Sequence, residues 1–275
     1  MHRCLSPSVY WRAVCTTLLV APIAHAAPKH PIHSPRSAKS APAHAQSRSS
    51  QSHHHPKRHS DAVFLADAES TPAYRYAQLD VSSCYAEVNR RQLPLRREAQ
   101  SWRGISAPMR FTGPVNGIVF RTDIPAAERS SSPFELFDCR LALALDDFSK
   151  VLRAAGITEV VLSSAYRPPP KSASEHDEQG KRHAGGLAVD VHRMAREDGT
   201  WFKVDRDFHG RIGAKVCGKS APHPAMPEAV LLRRLVCDAS EQHLFQSILT
   251  PNYDRPHHNH FHFELTPGVK WFIVS

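Results

Sequence analysis

An α+β domain, an antiparallel sheet with flanking helices, is predicted by three observations. Two segments, 137–156 and 226–249, space their apolar residues at helical period. Four shorter segments, 157–167, 186–194, 258–265 and 269–274, read as strands. A turn of the Asp-Gly kind at 198–199 joins 186–194 to a return segment, 201–208, in hairpin fashion. Helices mixed with hairpin-type strands favour an α+β arrangement.

At the N-terminus, His2, Arg3 and Arg12 accompany a short apolar run, "AVCTTLLVAPIA" at 13–24, and "AHA" at 24–26 is an A-x-A cleavage site. Residues 1–26 are therefore expected to be a signal peptide, too short for an ordinary membrane span, and the protein to be exported to a periplasmic or extracellular space. Cys15 sits within the run, which argues against lipid attachment. No later segment is apolar enough to span a bilayer. Residues 27–75 begin with "APKHPIHSPRSAKSAPAHAQSRSSQSHHHPKRHS", a stretch that itself has no acidic residue and almost no large apolar side chain. Such a stretch buries too little surface to offset its ordering entropy, and it is expected to be a disordered basic linker. The folded domain is expected over 76–275.

Within the domain, Leu141, Leu145, Phe148 and Leu152 share a helix face closed by Gly156. "ITEVVLSSAYR" at 157–167 is a strand running into a Pro-rich loop at 168–180. "GLAVDVHRM" at 186–194 alternates as a half-buried strand does. Residues 207–226 read as a loop, and "MPEAVLLRRLVCDASEQHLFQSIL" at 226–249 as one long helix with Pro227 near its start.

The chain has 275 residues, a formal charge of +9 and 19 histidines. Its basic balance favours polyanionic surroundings such as nucleic acid, anionic membranes or wall polymers. Nucleic acid is disfavoured, because the positive residues are scattered or lie in the linker, with no basic patch interleaved with aromatic residues. Cys4 and Cys15 leave with the signal. The other four cysteines, in an oxidising compartment, suggest two disulfides. Three pairings are open, and the sequential one, Cys84–Cys139 with Cys217–Cys237, is favoured. A thiolate zinc site is disfavoured because no C-x-x-C pair occurs.

Two clusters carry chemistry. In "HHNHFHFEL", 257–265, strand alternation sends His260, His262 and Glu264 to one face and Phe261, Phe263 and Leu265 to the other, the core. In "KRHAGGLAVDV", 181–191, Asp190 lies mid-strand among apolar residues, a costly place for a carboxylate without a partner or cation. Gly185 and Gly186 let the chain fold back, bringing His183 towards Asp190. His183, Asp190 and His262 form a candidate set. Two imidazoles and a carboxylate suit zinc, leave one position for water, and would lower that water's pKa and polarise a carbonyl.

"HAGGLAVD" fits the H-x-x-G-x-A-x-D pattern of zinc-dependent D-alanyl-D-alanine peptidases and their lysostaphin-related relatives, and "HHNHFHFEL" fits the H-x-H that completes such sites. Together with "SSAYRP" upstream, the cysteines and "FQSILTPNYDRPHHNHFHFEL", the chain resembles most the extensin-like C-terminal domain family of bacterial exported proteins, over about 80–266. The resemblance implies a D-Ala-D-Ala peptidase/hedgehog-like zinc fold, Zn2+ held by His183, Asp190 and His262, and peptidoglycan or wall peptides as partners. It places His260 beside the metal water and the scissile carbonyl, and His257 where a glutamate base usually stands. Some similar murein endopeptidases have histidine there, and a neutral imidazole can accept a proton. Glu264 or Asp254 ranks below it as a base. Arg167 matches an arginine near the substrate, suited to a peptide carboxylate. Lys181 stands where the family often has serine, which bears on the turn rather than on the ligands.

The expectation is a zinc metallopeptidase acting on peptidoglycan peptides, as carboxypeptidase or endopeptidase. The competing expectation is a zinc-containing module that binds wall peptides without turnover. His258 reads as a bystander; His176, His209, His223 and His243 read as surface residues. His192 shares a face with Asp190. Asp146 and Asp147 diverge by about 100° around a helix, a poor geometry for a carboxylate pair.

Overall fold

The computed structural model describes residues 62–172 and 182–275. The expectations for the signal peptide, for nearly all of the linker and for His176 and Lys181 lie outside these residues. The strands are β1 (Val63–Phe64), β2 (Leu95–Arg97), β3 (Pro108–Phe111), β4 (Val119–Thr122), β5 (Phe137–Asp138), β6 (Ile157–Ser164), β7 (Ala188–Arg196), β8 (Trp201–Lys203), β9 (Ser247–Leu249), β10 (Phe261–Glu264) and β11 (Trp271–Val274). The α-helices are α1 (Pro72–Ala77), α2 (Val81–Arg90), α3 (Ala126–Arg129), α4 (Cys139–Ala154), α5 (Val204–Asp207) and α6 (Pro227–Glu241).

The main sheet runs β1-β11-β9-β10-β7-β6-β4, and β8 also pairs with β7. Its centre, β9-β10-β7-β6, is antiparallel, as expected. Towards its ends β4 is parallel to β6 and β11 to β9, so the sheet is mixed rather than purely antiparallel. A parallel pair needs a long crossover, and the chain between β4 and β6 supplies one in α4. Of a second sheet, β2-β3-β5, strands β2 and β3 fall with α2 in a stretch that the sequence patterns left unassigned, β5 takes the first two residues of the helix expected at 137–156, and α1 begins inside the expected linker.

The helix expected at 137–156 forms where its spacing predicts, as α4. Asp138 caps it, accepting from Arg140 N at 3.1 Å, and Gly156, at φ 77, closes it. Leu141, Leu145, Phe148 and Leu152 are fully buried. Phe148 packs 4.8 Å from Phe263 and 5.7 Å from Phe245, tying α4 to the core face of β10. Burial of one such ring contributes about 1.5–3 kcal/mol. Asp146 and Asp147 follow one another on α4. Both reach Arg91 Nη1, at 2.7 and 3.4 Å, so the guanidinium stands between them and clamps α2 to α4.

The helix expected at 226–249 stops at Glu241. His243 takes a left-handed φ of 49, Leu244 N bonds back to Ala239 O at 3.1 Å, and His243 N to Ser240 O at 3.0 Å. This helix-ending pattern releases the chain into β9. Leu244, Phe245 and Ile248 continue the apolar spacing, which is why the strand read as more helix. His243 itself packs 4.8 Å from Phe272 instead of standing free. The return strand expected at 201–208 is likewise shortened to β8. Asp207 accepts from Lys203 N at 2.7 Å and turns the chain into α5. The domain also starts before 76, since β1 pairs with β11 and Thr71 caps α1.

Cys84–Cys139 and Cys217–Cys237 are bonded, the sequential pairing. Among the described residues no helix is long and apolar enough to cross a membrane.

Two features of β7 shape the open face of the sheet. Its first half pairs with β10 and its second half with β8 along the same edge, from Phe261↔Val191 to Lys203↔Arg193. At that handover the register against β6 slips: Val161 faces Arg193, and Leu162 faces Val191. His192 is an extra residue, a β-bulge. Core residues Val189 and Val191 precede it and core residue Met194 comes after, so the bulge reverses the alternation.

Candidate metal centre

His262 and Asp190 are paired across β10 and β7. Side chains on one face of such a pair are adjacent, and His262 Nδ1 lies 3.0 Å from Asp190 Oδ1. His183 comes from the turn before β7. Leu187 N bonds to Arg182 O at 2.8 Å and Gly186 N to His183 O at 3.1 Å, closing the turn. Of the two glycines expected to fold the chain back, Gly186 requires it, at φ 64, where an added Cβ would lie 2.8 Å from Asp138 N. The fold-back brings His183 Nε2 to 3.1 Å from Asp190 Oδ1 and 3.3 Å from His262 Nδ1.

These three atoms fit zinc. Ligand atoms about 2.05 Å from a tetrahedral ion stand about 3.3 Å from one another. The observed separations, 3.0 to 3.3 Å, match. The outer nitrogens are also engaged. His183 Nδ1 donates to Ala165 O at 2.6 Å, leaving Nε2 as the ligand atom. His262 Nε2 donates to Glu264 at 2.9 Å, leaving Nδ1. Such partners set the ring's tautomer and raise its basicity as a ligand. Glu264 thus sits behind His262 and is bonded to Thr266 Oγ1 at 3.1 Å. That position counts against it as a base for substrate.

Burial disfavours charge on Asp190, but hydrogen bonds with His183 and His262 outweigh it and hold the carboxyl far below the usual range. Burial likewise opposes charge on His262, and its bonds to Asp190 and Glu264 outweigh that and raise its pKa. Burial raises the Glu264 carboxyl, and the His262 bond, together with the charges of His262 and Arg182 and the Thr266 hydroxyl, more than reverses this. The three residues are all buried.

His260 and His257 stand over the cluster. His260 Nε2 is 3.5 Å from Asp190 Oδ1, and its Nδ1 is 2.8 Å from Asn259 Oδ1. Burial pushes its pKa down to about 4, so the ring is neutral at pH 7. The His257 ring lies 5.1 Å from that of His260 and 5.8 Å from that of His262. Its Nδ1 donates to Asp254 Oδ1 at 2.6 Å. Asp254 therefore orients His257 rather than replacing it. Their i,i+3 spacing within one 3-10 turn was visible in the sequence but unread. His258 bonds only its neighbour Arg255 O, at 2.8 Å, and is exposed. Arg167 reaches the cluster from the end of β6: one Nη donates to Asp190 Oδ2, and Nε donates to Ser164 Oγ at 3.1 Å. Its side chain is 52% exposed, so the guanidinium bridges Asp190 and solvent. His192, on the Asp190 side of the sheet, bonds Asp123 and Ser163 instead of the cluster.

The sequence model of the family described as extensin-like protein C-terminus matches residues 82–272. No curated protein and no solved structure matches the chain.

Proposed function

The chain belongs to the extensin-like protein C-terminus family, and from that premise we propose that it is an exported zinc-dependent hydrolase of peptidoglycan peptides, a carboxypeptidase or endopeptidase. One observation carries the reading: His183 Nε2, Asp190 Oδ1 and His262 Nδ1 lie 3.0 to 3.3 Å apart, beneath a histidine held by a carboxylate. Export rests on the N-terminal sequence and agrees with two disulfides.

His183, Asp190 and His262 would hold the ion. A bound zinc supplies Lewis acidity towards an amide carbonyl and makes water acidic near neutral pH. The chain's own residues do the rest. His257, with Nδ1–H given to Asp254, keeps Nε2 free to accept a proton from water and return it to the leaving amine. His260 is neutral; with the Asn259 amide turned so that its NH2 donates to Nδ1, Nε2 carries the proton and can donate to the oxygen that gains charge. Arg167 donates to Asp190 Oδ2 and offers the rest of its fork to a peptide carboxylate.

The test is a digest. Purified protein is incubated with muropeptides with and without chelator, beside His262→Ala. Product that chelator and the variant both abolish supports the hydrolase. Stoichiometric zinc and bound peptide with no product would assign the chain to wall-peptide binding instead.

A further inference from the structure

Beside the metal centre lies a cavity of about 300 Å³, lined by Ser163, His192, Arg193, Lys203, Asp205 and Asn259. It is built at the point where β10 gives way to β8 along the edge of β7. The bulge at His192 turns both His192 and Arg193 to the open side, where both reach Asp123, His192 Nε2 at 3.1 Å. A bulge costs a ladder position, and here it places two consecutive side chains on one wall. The cavity shares a wall with the metal centre, because Asn259 binds His260 at 2.8 Å. His192 comes two residues after Asp190, about 7 Å along the strand. That distance is two residues of an extended peptide.

The charges of this cavity are unusual in their balance. Asp123 is taken by Arg193 and His192, so that wall is closed to a ligand charge. Lys203, which ends β8, and Asp205, in the first turn of α5, also line the cavity. Among the described residues neither side chain forms an ion pair or hydrogen bond; the charge of Asp205 acts on His192 and Arg206 without bonding either, so one cation and one anion line the cavity with their hydrogen-bonding capacity unused. Ser163 and Asn259 add a hydroxyl and an amide. A group that is only anionic meets Asp205, and one that is only cationic meets Lys203. A group carrying both charges can pair with both.

We infer that this cavity is a subsite for an amino-acid side chain that itself ends in an ammonium and a carboxylate, as that of 2,6-diaminopimelate does. The inference rests on the peptide-hydrolase reading and names its substrate class. A peptide with its scissile carbonyl at the metal centre would seat such a side chain here, one or two residues away. The volume stands at the lower end of ligand cavities and suits one such head.

The test uses two tetrapeptides whose terminal amide is reduced to an amine, so that neither is hydrolysed. They differ at one position, diaminopimelate against lysine, which lacks the second carboxylate. Dissociation constants are measured by calorimetry on the zinc-loaded protein. Wild type is expected to prefer the diaminopimelyl peptide by about tenfold. Lys203→Ala should remove the preference and leave the lysyl affinity unchanged, while Lys203→Arg retains it. Asp205→Asn should weaken both peptides, since both carry the ammonium. Equal affinities in wild type, no binding of either, or a preference that survives Lys203→Ala would each overturn the subsite. The unreduced peptides are digested in parallel: preference without product would sink the hydrolase and keep the subsite, and product without preference would do the reverse.

Discussion

Glu264→Gln isolates the carboxylate behind His262. Glu264 is buried and accepts from His262 Nε2 at 2.9 Å. Glutamine has the same shape. Its carbonyl oxygen can accept from Nε2–H, and its amide can donate to Thr266 Oγ1, now 3.1 Å from the carboxylate. No hydrogen bond is lost, only the charge that strengthens one. A charge-assisted bond exceeds a neutral one by about 1–1.5 kcal/mol, which corresponds to about a tenfold weaker zinc affinity. Glu264→Ala leaves Nε2–H buried without a partner, and the loss should approach about a hundredfold. The assay is competition for zinc with a chromophoric chelator at fixed pH, backed by a thermal melt of each apo protein. Zinc affinity within twofold of wild type in both variants would refute the role. So would unchanged affinity with lost turnover, which would put Glu264 on the substrate side.

Three further outcomes are expected. Gly186→Ala forces a Cβ to 2.8 Å from Asp138 N at a φ of 64; it should cost about 1–3 kcal/mol in urea unfolding and weaken zinc binding by displacing His183. Removing Cys84–Cys139, which spans 55 residues, should cost about 4 kcal/mol, and removing Cys217–Cys237, which spans 20, about 3 kcal/mol, read as the loss in unfolding free energy of each double alanine variant. Burial, with a hydrogen bond to Asp147, raises the Tyr76 hydroxyl to about 12, above its unfolded value near 10. The folded protein then keeps this proton longer than the unfolded one, so its contribution is full below about pH 10 and is lost as pH rises towards 12. Urea midpoints between pH 9.5 and 11.5 should fall in wild type, and less steeply in Tyr76→Phe.

Much of the candidate site was legible because it depends on local geometry. Alternation alone separates His262 and Glu264 from Phe261, Phe263 and Leu265, and the last three are fully buried. Asp190 stood out as a carboxylate in an apolar strand, and it meets His183 and His262 as that cost requires. The misreadings have local causes too. Leu244, Phe245 and Ile248 sit in helical register with α6, so periodicity ran past the point where His243 turns the chain.

By itself the sequence supplied the candidate metal-ligand set and the face of each strand that meets it, because side-chain alternation and short turns are properties of the local backbone; it left three disulfide pairings open, of which the structure forms the sequential one. The tertiary structure decided which ring nitrogen faces the site, what holds it there, and where a cavity opens beside it. Ala165 sits 18 residues from His183, and Asp123 lies 69 and 70 from His192 and Arg193. No local rule pairs groups so far apart. They meet because burying the faces of β6, β7 and β10 against α4 fixes how those strands lie side by side, and the bulge at His192 then turns two side chains outward where alternation allows one.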